Sequence, residues 1–188
     1  MATLIGKVFE YSGDDSLMIV SWLRKHLRAI GLCFDSGLPE AILTLLYSGI
    51  DTLGFLAAAP SKQNATDETF MNWCNEYLLT RLKSVDGKTL TALDIYAARC
   101  GILHTSSSVS NRSRKGEARE VCYQFKGQHG INLIMNVKLE PLLLDIEEFV
   151  IAFKESGTAF IQDLSRDQTR REAAEGRASS FFRWGTLT

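Results

Sequence analysis

The sequence predicts a mainly α-helical bundle with one inserted β-hairpin. Apolar residues recur at helical spacing in five separate stretches, the pattern of helices that each bury one face. Only between Arg119 and Lys138 does the period change to two, with Val121, Tyr123 and Phe125 and then Ile131, Leu133, Met135 and Val137 alternating with other residues. At 188 residues and 45% hydrophobic content the chain suits one domain with a substantial core. That domain is expected over residues 1–165, with the hairpin at about 119–138, and residues 166–188 form a tail that docks on the domain or on a second copy.

Each element has its own signal. Leu4, Ile5, Val8 and Phe9 make a short amphipathic piece ahead of Ser12-Gly13-Asp14-Asp15, and the acidic pair suits the start of a helix over Ser16 to Gly31. Leu17, Val20, Leu23, Leu27 and Ile30 form its buried stripe. Arg24, Lys25, His26 and Arg28 take the other side, as a phosphate-contacting patch or as a solvated face. Pro39 opens a second helix that runs to about Ala59 and stops at Pro60. It is nearly all apolar except for Thr44, Tyr47, Ser48 and Asp51, whose spacing makes one narrow polar stripe. The stripe either lines a cleft or satisfies itself at a helix–helix seam, and Gly49 and Gly54 allow close approach in both cases. Thr66 or Asp67 caps a third helix whose Phe70, Trp73, Cys74, Tyr77 and Leu78 suit a core. Ser84-Val85-Asp86-Gly87 turns the chain into a fourth helix from Thr91 to His104, where Thr91 and Asp94 have capping-box spacing. Thr105 to Glu117 follows as an exposed loop with Arg112, Arg114 and Lys115, and Arg119 lies just beyond. This basic run is placed to gather a phosphate backbone. Gly127-Gln128-His129-Gly130 is expected to turn the hairpin, and Pro141 to open a long helix carrying Leu142, Ile146, Phe149, Val150, Phe153, Phe160, Ile161 and Leu164 on one face. Phe181, Phe182 and Trp184 near the end need a surface to cover them.

The chemistry concentrates at the end of the fourth helix. His104 stands in the last turn, where an imidazole can move protons near neutral pH. Arg99 lies five residues earlier, roughly 140° around the helix, so the two are not expected to pair on one straight face. Arg99-Cys100-Gly101-Ile102-Leu103-His104 matches the Arg-x4-His form of the motif that ends a helix in the HEPN superfamily, and the chain resembles that family over about Leu38 to Thr105. Tyr47-Ser48-Gly49-Ile50-Asp51 is similar to the helix that the family packs against its motif helix. The resemblance implies a helical bundle that forms a homodimer and cleaves single-stranded RNA without metal or cofactor. It makes Arg99 and His104 of both copies the catalytic groups; beside them, the polar stripe supplies Asp51, Tyr47 and Ser48 to orient the pair, and the basic run supplies Arg112, Arg114, Lys115 and Arg119 to contact the RNA backbone. Two copies matter because one imidazole does not easily serve as base and acid at once. The position after the motif arginine is often Asn, Asp or His in active members and is Cys100 here. The alternative is therefore a non-catalytic module that binds a nucleotide, RNA or protein.

Composition limits the other classes. Charged residues make up 23% of the chain and the net charge is −1, so any contact with nucleic acid must be local. Cys33, Cys74, Cys100 and Cys122 lack CxxC spacing and suit reduced thiols, and no metal set is apparent beyond the helical pair Cys100 and His104. No uninterrupted apolar run reaches about 18 residues, and the first residues lack a basic segment leading into an apolar one. The expectation is a cytoplasmic protein without membrane contact.

Overall fold

The computed structural model describes residues 17–59, 61–62, 64–105, 109–129 and 139–182. The chain is mainly helical with a small three-stranded sheet. Helix α1, Met18–Asp35, continues past the expected Gly31 because Phe34 extends its buried stripe, and Gly37 at φ 71° ends it. The acidic start at Asp14-Asp15 and the first amphipathic piece lie outside the described residues. Helix α2, Pro39–Ala57, has the composition and length of a membrane span but is the central core helix here. Its Ile42, Leu43, Leu46, Ile50 and Leu53 are at most 1% exposed.

His26 does not belong to a solvated basic face. Its Nε2 donates to the Leu45 carbonyl at 2.8 Å, and its ring stacks on Trp22 and meets Phe153. Gly49 makes this possible, since a Cβ there would stand 2.7 Å from that Nε2 and 2.6 Å from the Phe153 ring. Burial pushes the His26 imidazole below its ordinary pKa.

Helix α3, Asp67–Trp73, starts from Thr66, whose hydroxyl accepts from the Thr69 backbone in a capping box. It passes into a π-helical turn over Cys74–Leu78. There the Tyr77 carbonyl accepts from the side chains of Thr80, Arg81 and Ser156, so the altered ladder leaves it satisfied. Helix α4, Ala92–Thr105, carries the motif and begins at the expected Thr91 and Asp94 box. The basic stretch is not simply a loop. Ser110 caps a short helix α5, Asn111–Lys115, which Gly116 ends at φ 77°.

The hairpin turns earlier than expected. Strands β1, Val121–Phe125, and β2, Gln128–His129, pair antiparallel with Gln124 opposite His129. The turn is Lys126-Gly127, both at positive φ as a type I′ turn requires, so His129 is a strand residue. The Lys126 amine donates to the Phe34 carbonyl at 3.2 Å and lies over the Phe34 and Phe125 rings, which fixes the turn onto α1. Ile131 to Val137, expected as the return strand, lie outside the described residues.

Pro141 does not open a helix. Leu142–Asp145 is strand β3, parallel to β1 with Val121 opposite Leu142, and it alternates between buried and half-buried. The helix begins one residue later as α6, Ile146–Arg166, where the Asp145 carboxylate accepts from the Glu147 and Glu148 backbones. The tail region folds back as α7, Gln168–Phe181, capped by Asp167. Its Glu175 accepts from the Met18 and Ile19 backbones at the start of α1, and its Arg177 donates to the Leu56, Ala58 and Ala59 carbonyls at the end of α2. Phe182 stacks on Trp22, while Trp184 lies outside the described residues.

Candidate functional site

Asp51 on α2 and Arg99 on α4 face each other across the seam between the two helices. Arg99 donates from Nε at 2.8 Å and from Nη2 at 2.7 Å to the same Asp51 oxygen, Oδ2. Its remaining nitrogen, Nη1, reaches His104 Nε2 at 3.1 Å. The expectation that Arg99 and His104 would not pair is thus corrected. The angular separation counts Cα positions, whereas the arginine side chain is long enough to curve along the helix surface, and Asp51 holds its other face in place. An arginine only donates, so Nε2 accepts in this contact, which places the ring proton of a neutral His104 on Nδ1.

The ion pair is half-buried, with side-chain exposures of 21% for Arg99 and 23% for Asp51. Burial pushes the Asp51 carboxyl above its usual range, and the Arg99 guanidinium pulls it back. The carboxylate in turn holds Arg99 firmly protonated against its own desolvation. Asp51 therefore acts as a clamp that fixes both the charge and the direction of the guanidinium. His104 is exposed at the helix end.

Tyr47 and Ser48 have other partners. Tyr47 is fully buried, its hydroxyl is bonded to that of Tyr123, and burial raises its pKa, so it is a core group. Ser48 donates to the Leu45 carbonyl and Thr44 to the Glu40 carbonyl, both on their own helix. Of the polar stripe on α2, only Asp51 reaches the motif.

The basic residues also divide. Arg119 donates from its backbone to Asp94 Oδ1 at 2.8 Å and from Nη2 to Asp94 Oδ2 at 2.6 Å and the Thr89 carbonyl at 2.5 Å. It secures the start of α4, about 15 Å along the axis from His104, and the structure gives it an ion pair with Asp94. Arg112 and Arg114 instead line a cleft of about 310 Å³ between α4 and α5, together with Tyr96, Cys100 and His104. The Arg112 guanidinium lies 5.5 Å over the Tyr96 ring, and Arg114 donates to Asn111 at 3.4 Å. Lys115 is exposed.

Tyr96 and Cys100 line the site without having been singled out as site residues from the sequence. The signal was present, since Tyr96, Cys100 and His104 recur every four residues and so share one flank of α4. His104 both lines the cleft and accepts from Arg99, so the cleft and the charged pair adjoin through it. Among the described residues no three His, Cys, Asp or Glu side chains converge as metal ligands. No family model, curated protein or solved structure matches the chain closely enough to assign it to a family.

Proposed function

We propose that the chain is a HEPN-like endoribonuclease that cleaves single-stranded RNA without metal, using Arg99 and His104 from each copy of a homodimer. The observation that carries this reading is the arrangement Asp51, Arg99, His104, in which a clamped guanidinium points its free nitrogen at an exposed imidazole. In the proposed reaction one His104 takes the proton of a 2′-hydroxyl as its oxygen attacks the adjacent phosphorus. The phosphorus–5′-oxygen bond breaks, and the partner's imidazolium supplies a proton to the departing oxygen, leaving a 2′,3′-cyclic phosphate and a 5′-hydroxyl. Arg99 meets the charge that builds on the non-bridging oxygens, with a geometry already fixed by Asp51 before substrate arrives.

A second reading, a non-catalytic module that binds RNA, nucleotide or protein, is favoured by two features. Two of the three Arg99 nitrogens are already taken by Asp51, and Cys100 stands where active relatives of the motif often carry a polar residue. Incubating labelled single-stranded RNA with wild type and with His104→Ala, in excess EDTA, separates the two. Cleavage by wild type and its loss in the variant support the enzyme. Binding without cleavage supports the module.

A further inference from the structure

We propose that the cleft between α4 and α5 is a nucleobase subsite, in which one unstacked base of single-stranded RNA lies on the Arg112 and Tyr96 pair. The proposal rests on the reading of Arg99 and His104 as a phosphodiester site and adds what lies next to it. His104 and Tyr96 both line the cleft, eight residues or about 12 Å apart along α4. A phosphate held at the Arg99 and His104 end therefore leaves its neighbouring base directed along the same wall. The volume, about 310 Å³, is at the small end of ligand sites and suits one base rather than a folded partner.

The chemistry of the walls selects a base over other small groups. The Arg112 guanidinium lies over the Tyr96 ring, 5.5 Å from its centroid, and its tethers to charge are loose, 3.6 Å to Asp67 and 3.9 Å to Glu117. A loosely held guanidinium over an aromatic ring gives a planar, cationic surface on which a base stacks, whatever its sequence. Tyr96 itself is held in place, because its ring makes an edge-type contact with Phe70 in the core, with centroids 5.5 Å apart. Arg114 at the rim supplies further positive charge for the backbone, and the Asn111 amide that it touches can read a base edge.

The test uses a short 2′-O-methyl oligonucleotide, which cannot be cleaved, and an abasic oligonucleotide of the same length, each bound to the full chain in EDTA and followed by fluorescence anisotropy. Wild type is expected to bind the base-bearing strand about 10-fold or more tightly than the abasic one, the scale of one base–aromatic stack. Tyr96→Leu should remove that difference while leaving abasic binding unchanged. Arg112→Lys keeps the charge but loses the planar face; it lies on the surface and should give the same result in a folded protein. Equal binding of the two strands by wild type overturns the proposal, as does a base preference that survives in Arg112→Lys. Base-dependent binding without cleavage of unmodified RNA would keep the subsite and remove the nuclease reading.

Discussion

Under the proposed reaction, Asp51, Arg99 and His104 differ in how far each would serve activity and how far stability. His104 is exposed and, among the described residues, hydrogen-bonds one side chain, that of Arg99, so His104→Ala should lower RNA cleavage about 10²- to 10⁴-fold while the melting temperature stays nearly unchanged. Arg99→Ala should lose activity equally but also leave the half-buried Asp51 carboxylate without its partner, at a cost of about 1–3 kcal/mol in thermal or urea unfolding. If His104→Ala melts early and Arg99→Ala does not, the imidazole is the structural group and the roles are reversed. His26 gives a second prediction at this scale. Its imidazole is neutral in the fold and pushed below the ordinary value of about 6.5, so protons bind the unfolded chain more readily. Stability should therefore fall as pH drops through about 6.5 and level off below the folded pKa. His26→Gln keeps a donor for the Leu45 carbonyl and should flatten that part of the curve, as read by melting temperature between about pH 5 and 8. Sequence alone could not separate these two histidines. His26 sits among Arg24, Lys25 and Arg28, yet the space left by Gly49 on another helix draws it into the core.

Helix starts were largely legible because their signals are local. Thr91 with Asp94, Thr66, and Pro39 each open a helix where the spacing implies. Elements whose identity depends on a distant partner were not. Leu142 to Leu144 reads equally as strand or as the first turn of a helix until β1 is present to pair with it, and a Pro at position 141 biased the choice towards helix. The polar stripe on α2 failed similarly: Tyr47 found Tyr123 in a strand 76 positions away, while Asp51 met the motif as expected. Arg119 shows the cost of judging a basic run by composition, because its partner Asp94 is 4% exposed and waits at the other end of α4. The Arg119 guanidinium and the Thr91 hydroxyl hold the Asp94 carboxyl below its usual range in spite of burial. Its contribution is present above the ordinary aspartate pKa and lost as pH falls through the folded value. Asp94→Ala should therefore destabilise the protein by about 3 kcal/mol near neutral pH, with the deficit shrinking in acid. Denaturant unfolding at several pH values measures it, and a deficit that does not depend on pH would show that lost packing, not charge, is responsible.

For the whole molecule, the question is how a chain of net charge −1 with a single exposed imidazole at its motif could perform acid–base catalysis. The described chain closes around itself: α7 caps the start of α1 through Glu175 and the end of α2 through Arg177, and its Ala174 and Ala178 are buried against the bundle. Towards its last turn α4 is less buried: Arg99, Ile102 and Leu103 are half-buried, the two apolar side chains packing against the core, and His104 is exposed. A twofold pairing there would bring two Arg99 and two His104 into one cleft, which supplies a base and an acid from identical chains. The expected outcome is a dimer by light scattering at tens of micromolar and a cleavage rate per chain that falls as the protein is diluted below its dissociation constant. His104→Ala should still dimerise, since it trims one exposed side chain and leaves the bundle intact. A chain that remains monomeric and cleaves RNA at a rate independent of its own concentration would require both protons to pass through one His104, and the composite site would be wrong.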